Sequence, residues 1–252
     1  MKKIVYAIGS VMVALGFIAL WAFVAHFRFV SPIFLPGPDR AWAVLQAASG
    51  SSIFWERIVE TLQRMALGWL LASLLGVFVG GAIGLSQTAR VYLGGILEFM
   101  RPIPASAVIP AGILIFGLTE QMVLAVIAFG AVWPTLLATT HGFVSVSPRL
   151  REVSVMLRLS LCQYIVKIAL PSSLPEIFAG ARLSLTISLI LTIVAEMVAG
   201  RTGVGSWIML SARAFRSPDV FAGVILFGLI GAVSGLLLTL IEARLLRWRK
   251  TY

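Results

Sequence analysis

The sequence predicts an all-α polytopic membrane protein with about six transmembrane helices, forming one transmembrane domain over residues 1–252 with its core at 62–241. Composition is the first reason: of 252 residues, 60% are hydrophobic and 12% charged, whereas soluble domains average about 45–50% apolar and about 25% charged. The second reason is that the apolar runs are long and do not alternate with polar residues, which indicates spanning helices rather than barrel strands. A polar segment at 148–176 interrupts these runs and predicts a cytoplasmic loop.

Six apolar stretches account for the predicted spans. The first follows Lys2 and Lys3 and is longer than the apolar region of a signal peptide, which has about 7–15 residues, so we expect a retained helix. In chain order the predicted spans are 4–25, 65–89, 102–119, 122–141, 177–199 and 220–241.

The connection between the first two spans is expected to lie at the membrane surface. Residues 31–38 contain three prolines, which cannot continue a helix. Residues 40–62 mix apolar and charged side chains, which favours short helices lying at the interface.

Glycines and prolines predict how the second and third spans pack. Gly76, Gly80 and Gly84 recur every four residues in the second span and leave one face bare, so a neighbouring helix can approach closely. The third span has three prolines between residues 102 and 110, which are tolerated where neighbouring protein satisfies the freed carbonyl groups. We therefore expect the third span in the interior, with the prolines forming either a kink at a solute pathway or simple turns.

The charge distribution predicts the orientation in the membrane. Lys and Arg total 20 against 10 Asp and Glu, for a formal charge of +10. Most of these basic residues fall in segments that six spans would place on the side of both termini. By the positive-inside rule, the termini and segment 148–176 are cytoplasmic. The excess charge also favours contact with anionic membrane lipid, and it is not gathered on one face as a nucleic-acid partner would require.

Several kinds of chemistry are missing from the sequence. No G-x-x-x-x-G-K-[ST] loop occurs, so ATP binding by this chain is not predicted. The one cysteine, Cys162, cannot form an internal disulfide or a cysteine-based metal cluster. The two histidines, His26 and His141, lie far apart near span ends. No catalytic, cofactor-binding or metal-binding residue is predicted, and the chain is not expected to be an enzyme.

Segment 148–176 is much longer than a turn between two spans requires. It is expected to form two short helices, 150–158 and 161–170, the second stopped by Leu170-Pro171. Its apolar residues 165–168 lie beside basic ones, which suits the groove of a partner protein. Packing back onto the bundle or onto the bilayer surface is the alternative interpretation.

The same segment resembles a known family. Glu152-Val-Ser, followed by Ile168-Ala-Leu170-Pro171, resembles the EAA motif of ABC importer permeases and matches its spacing. Val153 and Ser154 replace the two alanines of that motif, and Arg158 stands where the family has glycine. If that glycine needs a positive φ, arginine costs about 1–2 kcal/mol there.

The resemblance implies that this loop couples the chain to an ATPase. It gives that role to Glu152, Val153, Ser154, Arg158, Ile168, Leu170 and Pro171. For Glu152, the alternative is a charge that merely complements the N-terminal dipole of its helix, worth about 0.3–1 kcal/mol.

Further fragments over about residues 32–249 resemble the nitrate/sulfonate/taurine branch of these permeases. They are Leu35-Pro-Gly-Pro38, Glu98-Phe-Met-Arg101-Pro-Ile-Pro104, Ile115-Phe-Gly117, Leu174-Pro175-Glu176-Ile177, Ala195-Glu196-Met197 and Thr202-Gly-Val-Gly205. The resemblance implies the type I ABC importer permease fold in a bacterial inner membrane. It also implies a homodimer of permease chains, two ATPase subunits that bind ATP and Mg, and a substrate-binding protein on the outer side. The implied solute is a small anion or a sulfonate-like organic molecule.

Five residues are candidates for the pathway or gate: Glu196, Glu98, Arg101, Gly203 and Gly205. An ionisable residue inside a span usually faces the bundle interior or a watery path, which favours Glu196. Alternatively, Glu196 reaches water or pairs with Arg201. Glu98 and Arg101 are three residues apart and suit a same-face pair at the cytoplasmic end of the third span.

The alternatives to an ABC permease are an ion-coupled secondary transporter and a membrane enzyme. An ion-coupled secondary transporter would need buried ionisable residues at mid-membrane, and the predicted spans 65–89 and 220–241 contain none. A membrane enzyme would need a catalytic constellation, and no such pattern occurs.

Overall fold

The computed structural model describes the backbone of residues 2–247 and the surroundings of residue 9 and of residues 12–247. Within residues 2–247 the chain is built of α-helices and one π-helical segment, Ile165–Ala169. The helices are α1 Lys2–His26, α2 Pro38–Ser49, α3 Ser52–Leu85, α4 Gln87–Met100, α5 Ala105–Phe116, α6 Glu120–Val144, α7 Pro148–Met156, α8 Leu161–Tyr164, α9 Leu170–Ala199, α10 Val204–Arg213 and α11 Ser217–Leu245. The prediction of an all-α membrane protein is confirmed.

Four helical runs in the described part of the chain are long and apolar enough to cross a membrane. They are α3, α6, α11 and the continuous run Leu161–Ala199 that contains α9. Helices α4 and α5 qualify together as a fifth, broken span bent by 91°. The stretch Met12–His26 of α1 is a shorter apolar helix. The six predicted spans therefore overlap α1, α3, α5, α6, α9 and α11, and the third, 102–119, leaves out α4, the first half of the broken span.

The core is built from α3, α6 and α9. Glycines on α3 let α6 approach closely: a Cβ at Gly76 would lie 2.9 Å from the Thr135 Cβ, and a Cβ at Gly84 only 2.6 Å from the Phe143 Cβ. The predicted packing role of the α3 glycines is confirmed. These pairings also show that α3 and α6 run parallel. Helix α9 runs antiparallel to α6, since Gly142 of α6 packs on Ser173 of α9, whereas Gly130, earlier in α6, packs on Leu191, later in α9.

The prediction of short interfacial helices over 40–62 is wrong for its second half. Residues 52–62 are the first turns of α3, which continues without a break to Leu85. Their apolar face explains this, because Phe54, Ile58 and Thr61 are spaced four and three apart and are all buried. At 34 residues, α3 is about 51 Å long, well beyond the bilayer core of about 30 Å.

The third predicted span covers only the second half of a broken span. Helix α4 ends at Met100, two prolines occupy the turn at 101–104, and α5 begins at Ala105. Of α5, only Ile109 and Gly112 are buried, whereas Leu114 is 88% exposed. Within one chain α5 packs against α6 and α9 with one face only, so its other face is left exposed.

The helix that begins at Leu161 does not stop at Leu170-Pro171, contrary to the prediction. It passes through the π-helical segment, in which the Leu170 N–H bonds to the Ile165 carbonyl five residues back. The wider turn changes the hydrogen-bonding pattern just before Pro171, which has no N–H to donate. The chain therefore continues as one helical run into α9.

Candidate functional site

The two ends of the three-helix core carry different features. At one end, α7 follows directly on α6, and we call this the α7 end. At the other end, the first turns of α3 and α6 meet α10, and we call this the α10 end. A cleft beside α5 lies between them.

Helix α7 is the first part of the predicted coupling loop. It starts at Ser147, whose hydroxyl accepts from the Leu150 N–H at 3.4 Å, and it has Pro148 in its first turn. Glu152 is exposed, and no acidic residue lies in the first turn of α7. The alternative that Glu152 complements the N-terminal dipole is therefore wrong, because it lies beyond the first turn, where the effect is felt.

Arg158 ends α7 in the left-handed conformation, with φ +49°. Its N–H bonds to the Val155 carbonyl at 3.0 Å, and the Leu159 N–H bonds to the Ser154 carbonyl at 3.0 Å. These two bonds form a Schellman motif, in which glycine is the usual residue at this position. The family glycine thus coincides with a positive φ, and arginine costs about 1–2 kcal/mol there.

The predicted coupling residues divide into an exposed and an anchoring set. Glu152, Val153 and Arg158 are exposed, together with the apolar tip residues Val155, Met156, Leu157 and Leu161. We call these seven residues the coupling surface; Met156 is 82% exposed. Ser154 is buried and donates to the Arg151 carbonyl at 2.6 Å. Ile168, Leu170 and Pro171 are half-buried, and the first two pack on a small core around Phe143.

Two connections fix the coupling surface to the spans. Arg151 Nη2 donates to the carbonyls of Phe143, at 3.3 Å, and Val144, at 3.1 Å, at the end of α6. On the other side, α8 runs without a break through the π segment into α9. Helix α7 is therefore connected to both α6 and α9.

The α10 end holds a cluster of charged side chains around Arg64, which is only 5% exposed. Arg64 donates to both carboxylate oxygens of Glu120, each at 2.8 Å, and to Glu60 at 2.5 Å. It also donates to Glu196 at 3.0 Å, and Glu196 is fully buried. The alternative that Glu196 pairs with Arg201 is wrong, because Arg201 pairs with Glu120 at 2.8 Å. Sequence reasoning missed Arg64 and Glu120, although Glu60 and Arg64 have the spacing of a helical ion pair.

Gly203 and Gly205 lie directly on Glu196. A Cβ at Gly203 would overlap the Glu196 carboxylate, and the Gly205 N–H donates to that carboxylate at 2.9 Å. Thr61 Oγ1 donates to the same carboxylate and accepts from the Val204 N–H at 2.9 Å. The structure thus brings three of the five predicted pathway residues together, at the first turn of α10.

Glu98 and Arg101 lie elsewhere, and they do not form the predicted pair. Among residues 2–247 neither takes part in an ion pair, because α4 ends between them and the chain turns by 91°. Arg101 lines an open cleft of about 650 Å³ between α5, α6 and α9. The α6 residues that line this cleft, Gly130 to Leu137, lie near the middle of that helix, and Arg101 is exposed at the turn before α5.

Long apolar helices, a broken span beside an open cleft and a projecting surface fixed to two spans define a membrane component of a transport system. The chain belongs to the family of binding-protein-dependent transport system inner membrane components, whose sequence model matches residues 72–249. It is therefore a multi-pass permease subunit of an ABC importer, which works with an ATPase and a substrate-binding protein, and not an enzyme. The identification made from the sequence is confirmed.

Similar proteins support the same assignment. A putative aliphatic sulfonates transport permease protein of Bacillus subtilis is 34% identical, over 93% of this chain and 85% of its own length. The taurine transport system permease protein of Escherichia coli is 29% identical, over 98% and 90%. A bicarbonate transport system permease protein of Synechococcus elongatus is 30% identical, over 93% and 86%. The fold is shared with an amino acid ABC transporter solved with histidines, with a TM-score of 0.59 and 18% identity, covering 79% of this chain and 97% of that one.

Proposed function

We propose that two copies of this chain form the pathway of an importer for a small anionic or sulfonate-like solute, in a bacterial inner membrane. ATP and Mg are bound by two separate ATPase subunits, and a binding protein delivers solute from outside. The named solutes of the similar permeases, sulfonates, taurine and bicarbonate, support this class.

The coupling surface is the observation that carries the proposal. Its exposed apolar tip, Val155, Met156, Leu157 and Leu161, is bordered by Glu152 and Arg158, and an apolar patch with a polar rim is typical of a protein interaction site. We infer that the tip docks into a cleft of the ATPase, with Glu152 making a polar contact at its edge. This places α7 and both termini on the cytoplasmic side, in agreement with the distribution of basic residues.

The attachments of the coupling surface supply the mechanical link. Arg151 holds α7 to the end of α6, and the unbroken helical run carries α8 into α9. A displacement of α7 by ATPase closure therefore moves both spans that line the cleft. At the α10 end, Arg64, Glu120 and Glu196 connect α3, α6 and α9, so the spans tilt about that end.

We assign Glu196, Gly203 and Gly205 to this gate region, where α10 closes the outer end of the pathway. Their contacts join α9 to the first turn of α10 and need the two glycines for close approach. The exposed face of α5, with Leu114 at its centre, is covered by the second copy, and membrane lipid covers the outer faces of α1 and α11.

Co-purification tests the proposal. We would extract the tagged chain from its native membrane in mild detergent and measure which proteins accompany it and in what ratio. The expected result is one P-loop ATPase per permease chain, in a complex with two of each. Met156→Asp, on the coupling surface, should lose the ATPase, whereas the matched control Phe215→Asp, exposed at the α10 end, should keep it. An ATPase retained equally by both variants would remove the docking role of the coupling surface.

A further inference from the structure

A pocket of about 340 Å³ lies at the α7 end, where the ends of α3 and α6 and the first turn of α4 meet α7 and α8. We call it the arginine pocket, because Arg90 of α4 and Arg151 of α7 both line it. Gln87 and Tyr164 line it as well, and both side chains carry hydrogen-bond donors. None of the described residues that line this pocket is acidic, so its lining favours an anion.

The two guanidinium groups bind neighbouring parts of the backbone. Arg90 Nη1 donates to the Gly84 carbonyl at 2.5 Å, and Arg151 Nη2 donates to the Phe143 carbonyl at 3.3 Å. Gly84 and Phe143 pack directly on each other, since a Cβ at Gly84 would lie only 2.6 Å from the Phe143 Cβ. The two positive charges are therefore held beside adjacent residues, where α3 and α6 end.

Capping of these helix ends does not neutralise the two arginines. A guanidinium group has five N–H donors and a full positive charge, whereas the C-terminus of a helix carries only about half a negative charge. Among the residues that the structure describes, no carboxylate lies within 4.0 Å of either guanidinium group. Such a partner is present for four other arginines, Arg64, Arg182, Arg201 and Arg216. An anion in the arginine pocket supplies the missing counter-charge.

The uncharged length of α3 gives the depth of the pocket in the membrane. No charged residue occurs between Arg64, in the charge cluster at the α10 end, and Arg90. Arg64 and Leu85, which lines the pocket, lie about 32 Å apart along the helix axis at 1.5 Å per residue, close to the hydrocarbon core of about 30 Å. The arginine pocket therefore lies where the hydrocarbon core ends, at the depth of the lipid headgroups.

Helix α4 adds an apolar surface directly beside the arginine pocket. None of its residues is buried, and Val91, Tyr92 and Phe99 are 72%, 77% and 75% exposed. A phospholipid matches both features, because its phosphate carries the negative charge and its acyl chains are apolar. A free phosphate ion, or the acidic side chain of a protein partner, would supply the charge alone.

We propose that the arginine pocket binds the phosphate of an anionic phospholipid from the cytoplasmic leaflet, with Arg90 and Arg151 as its counter-charges. Basic pockets between spans on the cytoplasmic side suit the headgroups of anionic lipids. This assignment rests on the proposed cytoplasmic position of the α7 end. The bound phosphate joins α7, which carries part of the coupling surface, to the first turn of α4. The lipid thereby stabilises the position of the coupling surface.

Lipid binding by the whole chain tests the site. The purified chain, stripped of lipid in detergent, is titrated with phosphatidylglycerol or phosphatidylcholine, and native mass spectrometry counts the lipids bound per chain. We expect one phosphatidylglycerol per chain, with a Kd at least about tenfold lower than that of phosphatidylcholine, because only phosphatidylglycerol has a net charge to balance the two arginines.

Two substitutions in the pocket and one outside it separate the site from a general effect of charge. Arg90→Gln removes one counter-charge and should raise the Kd for phosphatidylglycerol about tenfold. Gln87→Glu keeps the size of the side chain and adds a negative charge at the first residue of α4, where the helix dipole favours it. It should raise the Kd severalfold without loss of stability. The matched control Arg149→Gln, at an exposed arginine of α7 outside the pocket, should leave the Kd unchanged.

Three results would overturn the assignment. Equal binding of the two lipids by the wild type, or an unchanged Kd in Arg90→Gln, would remove the lipid site. Displacement of phosphatidylglycerol by millimolar inorganic phosphate would identify a site for the free ion. Loss of the lipid when the ATPase is added, together with loss of the ATPase from Arg90→Gln, would assign the pocket to an acidic side chain of the ATPase. The proposed function fails separately, if the wild-type chain retains no ATPase and supports no ATP-driven uptake.

Discussion

Replacing Arg64 should destabilise the protein more than replacing its fully buried partner Glu196. In Arg64→Gln, the Glu196 carboxylate keeps its bonds to Thr61 and Gly205 but loses its positive partner. Breaking a buried ion pair from one side costs about 3–5 kcal/mol. In Glu196→Gln, the amide oxygen can still accept from Arg64, but the amide NH2 then faces the Gly205 N–H, and two donors face each other. That mismatch costs about 1–3 kcal/mol.

A double-mutant cycle measures the coupling between the two side chains. The fraction of protein that stays monodisperse after heating in detergent would be followed by size-exclusion chromatography for wild type, Arg64→Gln, Glu196→Gln and the double variant. The double variant should lose less stability than the sum of the single variants, since each removes the same ion pair. Additive losses, or equal losses for the two single variants, would refute the assignment of Arg64 as the central charge of the cluster.

Other substitutions test the coupling surface and the core. Glu152→Lys should weaken co-purification of the ATPase. The matched charge reversal Glu176→Lys, also at an exposed residue, should not weaken it. Equal retention of the ATPase by both variants would remove the Glu152 contact. Arg158→Gly should assemble at least as well as wild type, because glycine tolerates φ +49°. Arg158→Val should be less stable than wild type, because a β-branched residue fits a positive φ worse than arginine does. The reverse order would exclude the left-handed cap. Gly80→Ala should lower thermal stability, because its Cβ would overlap the Leu136 carbonyl. The matched control Gly94→Ala, with open space around it, should not. Equal losses of thermal stability in the two variants would contradict the close packing of α3 on α6.

Much of the fold follows from signals that are local in the sequence. The apolar run at 122–141 matches α6 at Glu120–Val144, because length and hydropathy alone decide whether a helix can span. Glycines every four residues identified the packed face of α3. Hydropathy does not decide where a helix ends, however, and so residues 52–62 and the run through Pro171 were misread.

The candidate sites were less predictable because their contacts are distant in sequence. Glu196 is recognisable as a buried acid inside a span, but its partner Arg64 lies 132 residues away. The position of Arg158 at the family glycine could be identified from the motif spacing, because the left-handed helix cap is a local feature of the chain. The position of Arg101 depends on a 91° bend, and the prolines of the break indicate a turn but not its angle.

ATP-driven uptake in proteoliposomes tests the central claim most directly. The complex of this chain with its ATPase would be reconstituted with ATP in the lumen, and the binding protein would be supplied outside with taurine, 1-propanesulfonate, nitrate or bicarbonate. We predict that at least one of these solutes accumulates only when ATP is present, and that a protonophore does not change its uptake. Uptake that persists without ATP and is abolished by collapsing the proton gradient would contradict the account and identify an ion-coupled transporter.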